Sequence, residues 1–279
     1  MYYTAYLMGG LGNQLFQIFA TIAIALRTNK TFRFEYSDVL RVGVERPTYW
    51  NNLLARLRIY TMPNVYNDSR LQYLKENGFE YNEFLPIEAS IADHPVCLHG
   101  YFQTDKYFAN EYAQIINMIG IPRLQQQIKE KSQVLSNKKS NVSLHFRLGD
   151  YVQKQGHHPV QPVKYYINAL KHYDSKARVI YFCEDADIST VNISIQVLAR
   201  IYPTMEFVRA DVQNDWEQLL LMSVCDHNII ANSSFSWWGA YFNANANKKV
   251  VYPSVWFGLL MGNINTDDMC PLDWIKVQA

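Results

Sequence analysis

In the second half of the chain, short apolar runs alternate with longer stretches of mixed, helix-spaced residues. Residues 141–146 (NVSLHF), 178–183 (RVIYFC), 205–209 (MEFVR), 226–231 (DHNIIA) and 249–253 (KVVYP) read as buried strands. The text between them has helical length at 162–173, 188–200, 214–224 and 236–246. Strands alternating with helices imply right-handed βαβ units and a parallel sheet. Strands buried on both faces read as apolar runs rather than clean alternation, as these do. The first half repeats the theme less regularly. It has a strand over 2–8, a glycine turn, a helix over about 13–27, a strand over 31–36, another over 96–102 and a helix over 105–119. Residues 41–95 carry no pattern that assigns them.

The most polar and least periodic stretch, 129–141 (KEKSQVLSNKKSN), is the linker candidate, with a boundary at Asn137. This makes two α/β domains, 1–137 and 138–279, each Rossmann-like and facing a central cleft.

Composition narrows the partners. Lys+Arg 26 against Asp+Glu 25 leaves a net charge of +1, so no global field draws the chain to nucleic acid or an acidic surface. Any anion must be held by a local site. The aromatic residues (Tyr 20, Phe 14, Trp 6) suit both large cores and sugar or base sites. Cys97, Cys183, Cys225 and Cys270 lie far apart with no CxxC spacing, which disfavours a structural zinc site or a disulfide framework. The N-terminus lacks the basic and cleavage features of a signal peptide, and the apolar run 15–26 is too short to span a bilayer. The expectation is a soluble, cytoplasmic protein with no transmembrane segment, compatible with peripheral membrane association.

Three motifs carry candidate chemistry. GGLGNQLFQ (9–17) follows the first strand and opens a helix. Its glycines allow a sharp turn and close ligand approach, and helix N-termini attract anions. It is not GxGxxG, which disfavours a dinucleotide site; the structural alternative makes Asn13 an N-cap. HFRLGDY (145–151) ends a strand and aims His145 and Arg147 from the sheet's ligand-binding edge. Arginine there grips a diphosphate bidentately; the alternative is an Arg147–Asp150 ion pair. NSSFSWWGA (232–240) sets Ser233 and Ser234 at a helix start, a phosphate cradle, with Trp237 and Trp238 weighted toward the core. The adjacent His157 and His158 read as an exposed loop rather than a metal site.

These motifs, with GYFQ (100–103) and the longer run LMSVCDHNIIANSSFSWWGA (221–240), resemble glycosyltransferase family 11, the α-1,2-fucosyltransferases. The resemblance implies a GT-B-like α/β fold and inverting, metal-free transfer of L-fucose from GDP-β-L-fucose to the 2-hydroxyl of a terminal β-galactoside. By the same resemblance, no cofactor is needed and the partners are GDP-fucose and a galactose-terminated oligosaccharide. Arg147 would hold the β-phosphate with Ser233, Ser234 and Phe235, and Gly12, Asn13 and His145 would meet the donor. Asp185, in EDAD (184–187), is either a guanine contact or a helix-start charge. Gln103 and Tyr107 would meet the acceptor, and Asp150 is either catalytic or a support for Arg147 or His145. The family commonly carries HxRRxD, and Leu148 stands where its second arginine would be. A fucosyltransferase for protein or glycan-core acceptors, and a non-catalytic nucleotide-sugar-binding or lectin-like module, are the competing readings.

Overall fold

The computed structural model describes residues 1–83, 85, 88–89, 93–136 and 138–279. They form two compact units: Met1–Arg123 with Asn265–Pro271 (unit 1), and Leu124–Ile264 with Leu272–Ala279 (unit 2). The division falls earlier than the expected 137, and Asn137 itself lies outside the described residues. The reason is polar anchoring to unit 2 of residues just before and within the expected linker. Gln125 donates to Ser223 Oγ and to the Phe242 carbonyl, both at 2.9 Å, and Lys131 pairs with Glu217 at 2.5 Å. The return of 265–271 to unit 1 was not legible in the sequence. Asp268 accepts the Tyr81 amide at 3.0 Å and pairs with Lys106.

Unit 1 starts with Tyr2–Ala5 (β1) and Leu11–Arg27 (α1). Apart from Asn13, α1 is buried from Leu11 to Ala25, because its residues are apolar almost all round. Thr31–Phe32 (β2), Phe34–Glu35 (β3), Val39–Leu40 (β4), Arg46–Pro47 (β5), Thr61–Met62 (β6), Gln72–Lys75 (β7) and Val96–His99 (β8) follow. The main sheet, ordered β2-β1-β8-β7, is parallel throughout. The single strand expected over 31–36 is two, since Phe32 pairs with Tyr3 while Phe34 pairs with Thr61 in a separate ladder. Edge strand β7 escaped the pattern because its text, QYLK, is mostly exposed and polar. The helix expected over 105–119 begins as a 3₁₀ turn, Asp105–Tyr107, and continues as Tyr112–Ile119 (α2). Gly120, at φ +86°, terminates α2, and Ile121–Lys131 (α3) starts at once.

Unit 2 alternates up to its last two strands: Asn141–His145 (β9), Val163–Leu170 (α4), Arg178–Phe182 (β10), Ile188–Ile201 (α5), Glu206–Arg209 (β11), Asp215–Ser223 (α6), His227–Ile229 (β12), Ser234–Tyr241 (α7), Val250–Pro253 (β13) and Ile275–Val277 (β14). The parallel sheet runs β11-β10-β9-β12-β13-β14. Numbered within the unit, that is 3-2-1-4-5-6, the doubly wound Rossmann order. Val142, Leu144, Val179, Ile229 and Val251 build its core, with no exposure, against Tyr165, Leu170 and Leu198 of the flanking helices. Each such side chain stabilises the sheet by about 1.5–3 kcal/mol relative to exposure. All four cysteines are buried, and burial raises the thiol pKa values of Cys97, Cys183 and Cys225. Among the described residues no helix is long and apolar enough to cross a membrane.

Candidate active site

In unit 2 the chain leaves β9 for β10 on one side and leaves β12 for β13 on the other. The loops after β9 and β12 therefore diverge at a topological switch point, where open α/β sheets bind ligands. The motif 145–151 follows β9 and the motif 232–240 follows β12. The Tyr151 hydroxyl ties them by donating to the Asn232 carbonyl at 3.2 Å.

Arg147 is the centre of this loop pair, its side chain 20% exposed. It donates to Asp150 at 2.5 Å and to Glu184, and its guanidinium lies 4.8 Å from the Tyr151 ring centre. The second Asp150 oxygen accepts from Lys154 at 3.2 Å. Gly149, at φ +45°, donates its N–H to Asp187 at 2.8 Å. A Cβ there would sit 3.0 Å from Glu184 Oε1, so the turn requires glycine. Arg147 is thus both aligned and occupied by two carboxylates. Asp150 sits between two cations, which fits support of Arg147. Asp185 is exposed, pairs with Arg209 and opens the turn before α5. Glu184 and Asp187 follow β10, whose Phe182 lies beside His145 of β9. That adjacency is the signal that could have marked them as partners of the arginine loop.

His145, the last residue of β9, is buried. Burial first, and the Arg147 charge second, push its imidazole down to about 3, so it is neutral at physiological pH. Its Nδ1 has no hydrogen-bond partner, and its ring centre lies 5.5 Å from that of Phe235. Asn232 Nδ2 donates to the Pro159 and Trp256 carbonyls at 3.0 Å each, while its buried Oδ1 also lacks a partner. Buried polar atoms of this kind are normally satisfied, so both fit polar recognition. Ser233 is the N-cap of α7, its backbone extended and its side chain making no capping bond. The helix begins two residues before the expected start, which leaves Ser234 and Phe235 half-buried in its first turn. Trp237 and Trp238 are core residues, with Trp237 stacked 4.5 Å from Tyr241. Leu148 also joins the unit 2 core, so the position of the family's second arginine is apolar here. His158 stacks on Tyr151 at 4.9 Å.

In unit 1 the adjacent parallel strands β1 and β8 end side by side. The turn after β1 is held by amides. Gln14 Nε2 donates to the Gly9 and Pro47 carbonyls at 3.0 and 2.9 Å, and Gln17 Oε1 accepts the Met8 amide at 3.0 Å. Gly10 is the N-cap of α1, so Asn13 is not, and Gly12 is buried within the helix. Asn13 instead accepts from Gln103 Nε2 at 2.8 Å, joining the loops after β1 and β8. Gln103 is itself a buried polar residue. Tyr107 is fully buried, its hydroxyl accepts the Asn82 amide at 3.0 Å, and its ring packs on Phe102 and Tyr81. Its burial makes it core rather than an acceptor contact. The roles of Gln14 and Gln17 went unread, although buried glutamines one turn apart beside a glycine turn were the available signal.

Comparison with known proteins places this geometry. The glycosyl transferase family 11 model matches residues 64–258. An α-1,2-colitosyltransferase of Escherichia coli is 25% identical over 98% of both chains. The O-antigen biosynthesis glycosyltransferase WbnK of Escherichia coli is 24% identical over 97% of this chain and 99% of its own. Among solved structures, Escherichia coli ADP-heptose LPS heptosyltransferase II aligns with a TM-score of 0.52 at 12% identity, over 99% of this chain and 90% of its own. POFUT1 in complex with GDP aligns with a TM-score of 0.52 at 12% identity, over 90% of this chain and 97% of its own. Those two likenesses establish the fold, GT-B. With the family model covering well over half its length, this chain belongs to glycosyl transferase family 11.

Proposed function

We propose that this glycosyltransferase moves L-fucose from GDP-β-L-fucose to the 2-hydroxyl of a terminal β-galactoside, with inversion at the anomeric carbon. The observation that carries the reading is Arg147 at the unit 2 switch point, in the loop joined by Tyr151 to the start of α7. As the bond to the sugar breaks, negative charge grows on the GDP β-phosphate. A largely buried guanidinium and the α7 start meet that charge with little reorganisation. Asp150 keeps the guanidinium aligned, and His145, neutral, accepts or donates a hydrogen bond without adding charge. Exposed Asp185 is the guanine contact. Gln103 serves the acceptor.

The cation supplied by the chain makes a metal unnecessary in this reading, so turnover is expected to persist in excess EDTA. Loss restored by manganese would overturn that point. The principal test is an acceptor panel with GDP-fucose and linkage analysis of the product. An α-1,2-fucosyl galactoside supports the proposal, and another linkage or no transfer overturns it. One observation favours a second donor: the relative named as a colitosyltransferase. Colitose is L-fucose without its 3-hydroxyl. A site that hydrogen-bonds that hydroxyl rejects the analogue by about 10⁴-fold, whereas an apolar pocket discriminates far less. Running both donors side by side decides between them.

A further inference from the structure

Glu76 follows edge strand β7 and is the one carboxylate of unit 1 that grips the turn after β8. Its Oε2 accepts the amides of Tyr101 at 2.8 Å and Phe102 at 2.7 Å. Gly100 makes the approach possible, since a Cβ there would lie 2.4 Å from Glu76 Cβ. Among the described residues Glu76 has no ion-pair partner, and burial raises its pKa, so its charge is kept at a cost. What it holds is strained. Phe102 is buried yet sits at φ +54°, a region costly for a bulky residue. The next residue, Gln103, reaches Asn13 in the loop after β1. Strain, a glycine whose missing Cβ leaves room for Glu76 and a doubly bonded carboxylate converge on one turn.

We propose that Glu76 is a positioning residue: it locks the 100–103 turn so that Gln103 is presented beside the segment that follows β1. This rests on the reading of Gln103 as an acceptor contact. Both amides bond to a single oxygen, so the oxygen's position matters more than its charge. Glu76→Gln keeps an oxygen at that reach, Glu76→Asp keeps the charge but falls one methylene short, and Glu76→Ala keeps neither.

Amide exchange at Tyr101 and Phe102 is the readout independent of activity. Protection is expected to fall at least about tenfold in the Asp and Ala variants and to stay near that of the parent in Gln. Acceptor KM should rise about tenfold in the same two variants, with GDP affinity by calorimetry unchanged. If Glu76→Ala does not fold, the Gln and Asp variants decide. Activity retained in Asp and lost in Gln would overturn the proposal in favour of a role for the charge. Unchanged amide protection in Asp would overturn it outright. Altered protection with unaltered acceptor KM supports the lock and overturns the acceptor role of Gln103.

Discussion

The loop after β1 and the loop after β9 occupy the same place in their sheets, yet one is fastened by neutral amides and the other by ions. Gln14, Gln17, Asn13 and Gln103 fasten the first with neutral hydrogen bonds. Arg147, Asp150, Lys154 and Glu184 make the second a balanced charge cluster around one cation. Neutral amides fix geometry without creating a field, which suits holding a polyhydroxy ligand. Ion pairs store charge that a phosphate can redirect by exchanging partners.

Breaking the ionic loop should have the largest effect. Arg147→Ala is expected to lower kcat by about 10²–10³-fold, the usual cost of losing one charge-stabilising donor. It should weaken GDP binding and leave the circular dichroism spectrum intact. Near-parental turnover would mean that the two loops do not differ in function as described.

Acid stability probes the same loop. Unfolded, His145 titrates near 6.5; folded, it refuses the proton until about 3. The unfolded chain therefore binds more protons in that window. The stability due to neutral His145 is complete above pH 6.5 and is lost as pH falls toward 3. The loss is on the order of a few kcal/mol. Denaturant titrations at pH 7 and pH 5 should differ more for the parent than for His145→Asn, and equal differences would count against a buried neutral imidazole.

In the amide loop, Gly9 sits at φ +78°, and a Cβ there would lie 2.5 Å from Asn13 Nδ2. Gly9→Ala is expected to cost about 1–3 kcal/mol from backbone strain and to disturb the Asn13–Gln103 bond. Thermal melts measure the first effect and acceptor KM the second. The smallest effect is expected from Glu184→Gln. Removing one competitor for Arg147 should tighten GDP binding by about two- to fivefold, the range of an exposed ion pair. Calorimetry showing weaker binding would assign Glu184 to the ligand rather than to Arg147.

Much of this was legible before any coordinates. The strands of unit 2 are apolar runs because both faces of a parallel sheet are buried, and such runs are visible in one dimension. The position of Arg147 just beyond β9 and the helix start at Ser233–Ser234 are legible because strand ends follow from strand positions. Tyr107 was misplaced because a tyrosine's hydroxyl permits either a ligand or a backbone partner, and here burial gave it the Asn82 amide. Edge strands β7 and β14 escaped notice because they are short and partly exposed.

The sequence by itself determined the alternation of strands and helices, the near-neutral charge and the motifs at two strand ends, since these depend on residues close in the chain. Only the tertiary structure decided which loops meet. Strand order brought β12 beside β9 and β8 beside β1, joining Tyr151 to Asn232 and Gln103 to Asn13. It also placed Glu184 on Arg147 and Glu76 under the Phe102 turn. Those pairings depend on sheet order and close packing between distant segments, which no local pattern encodes.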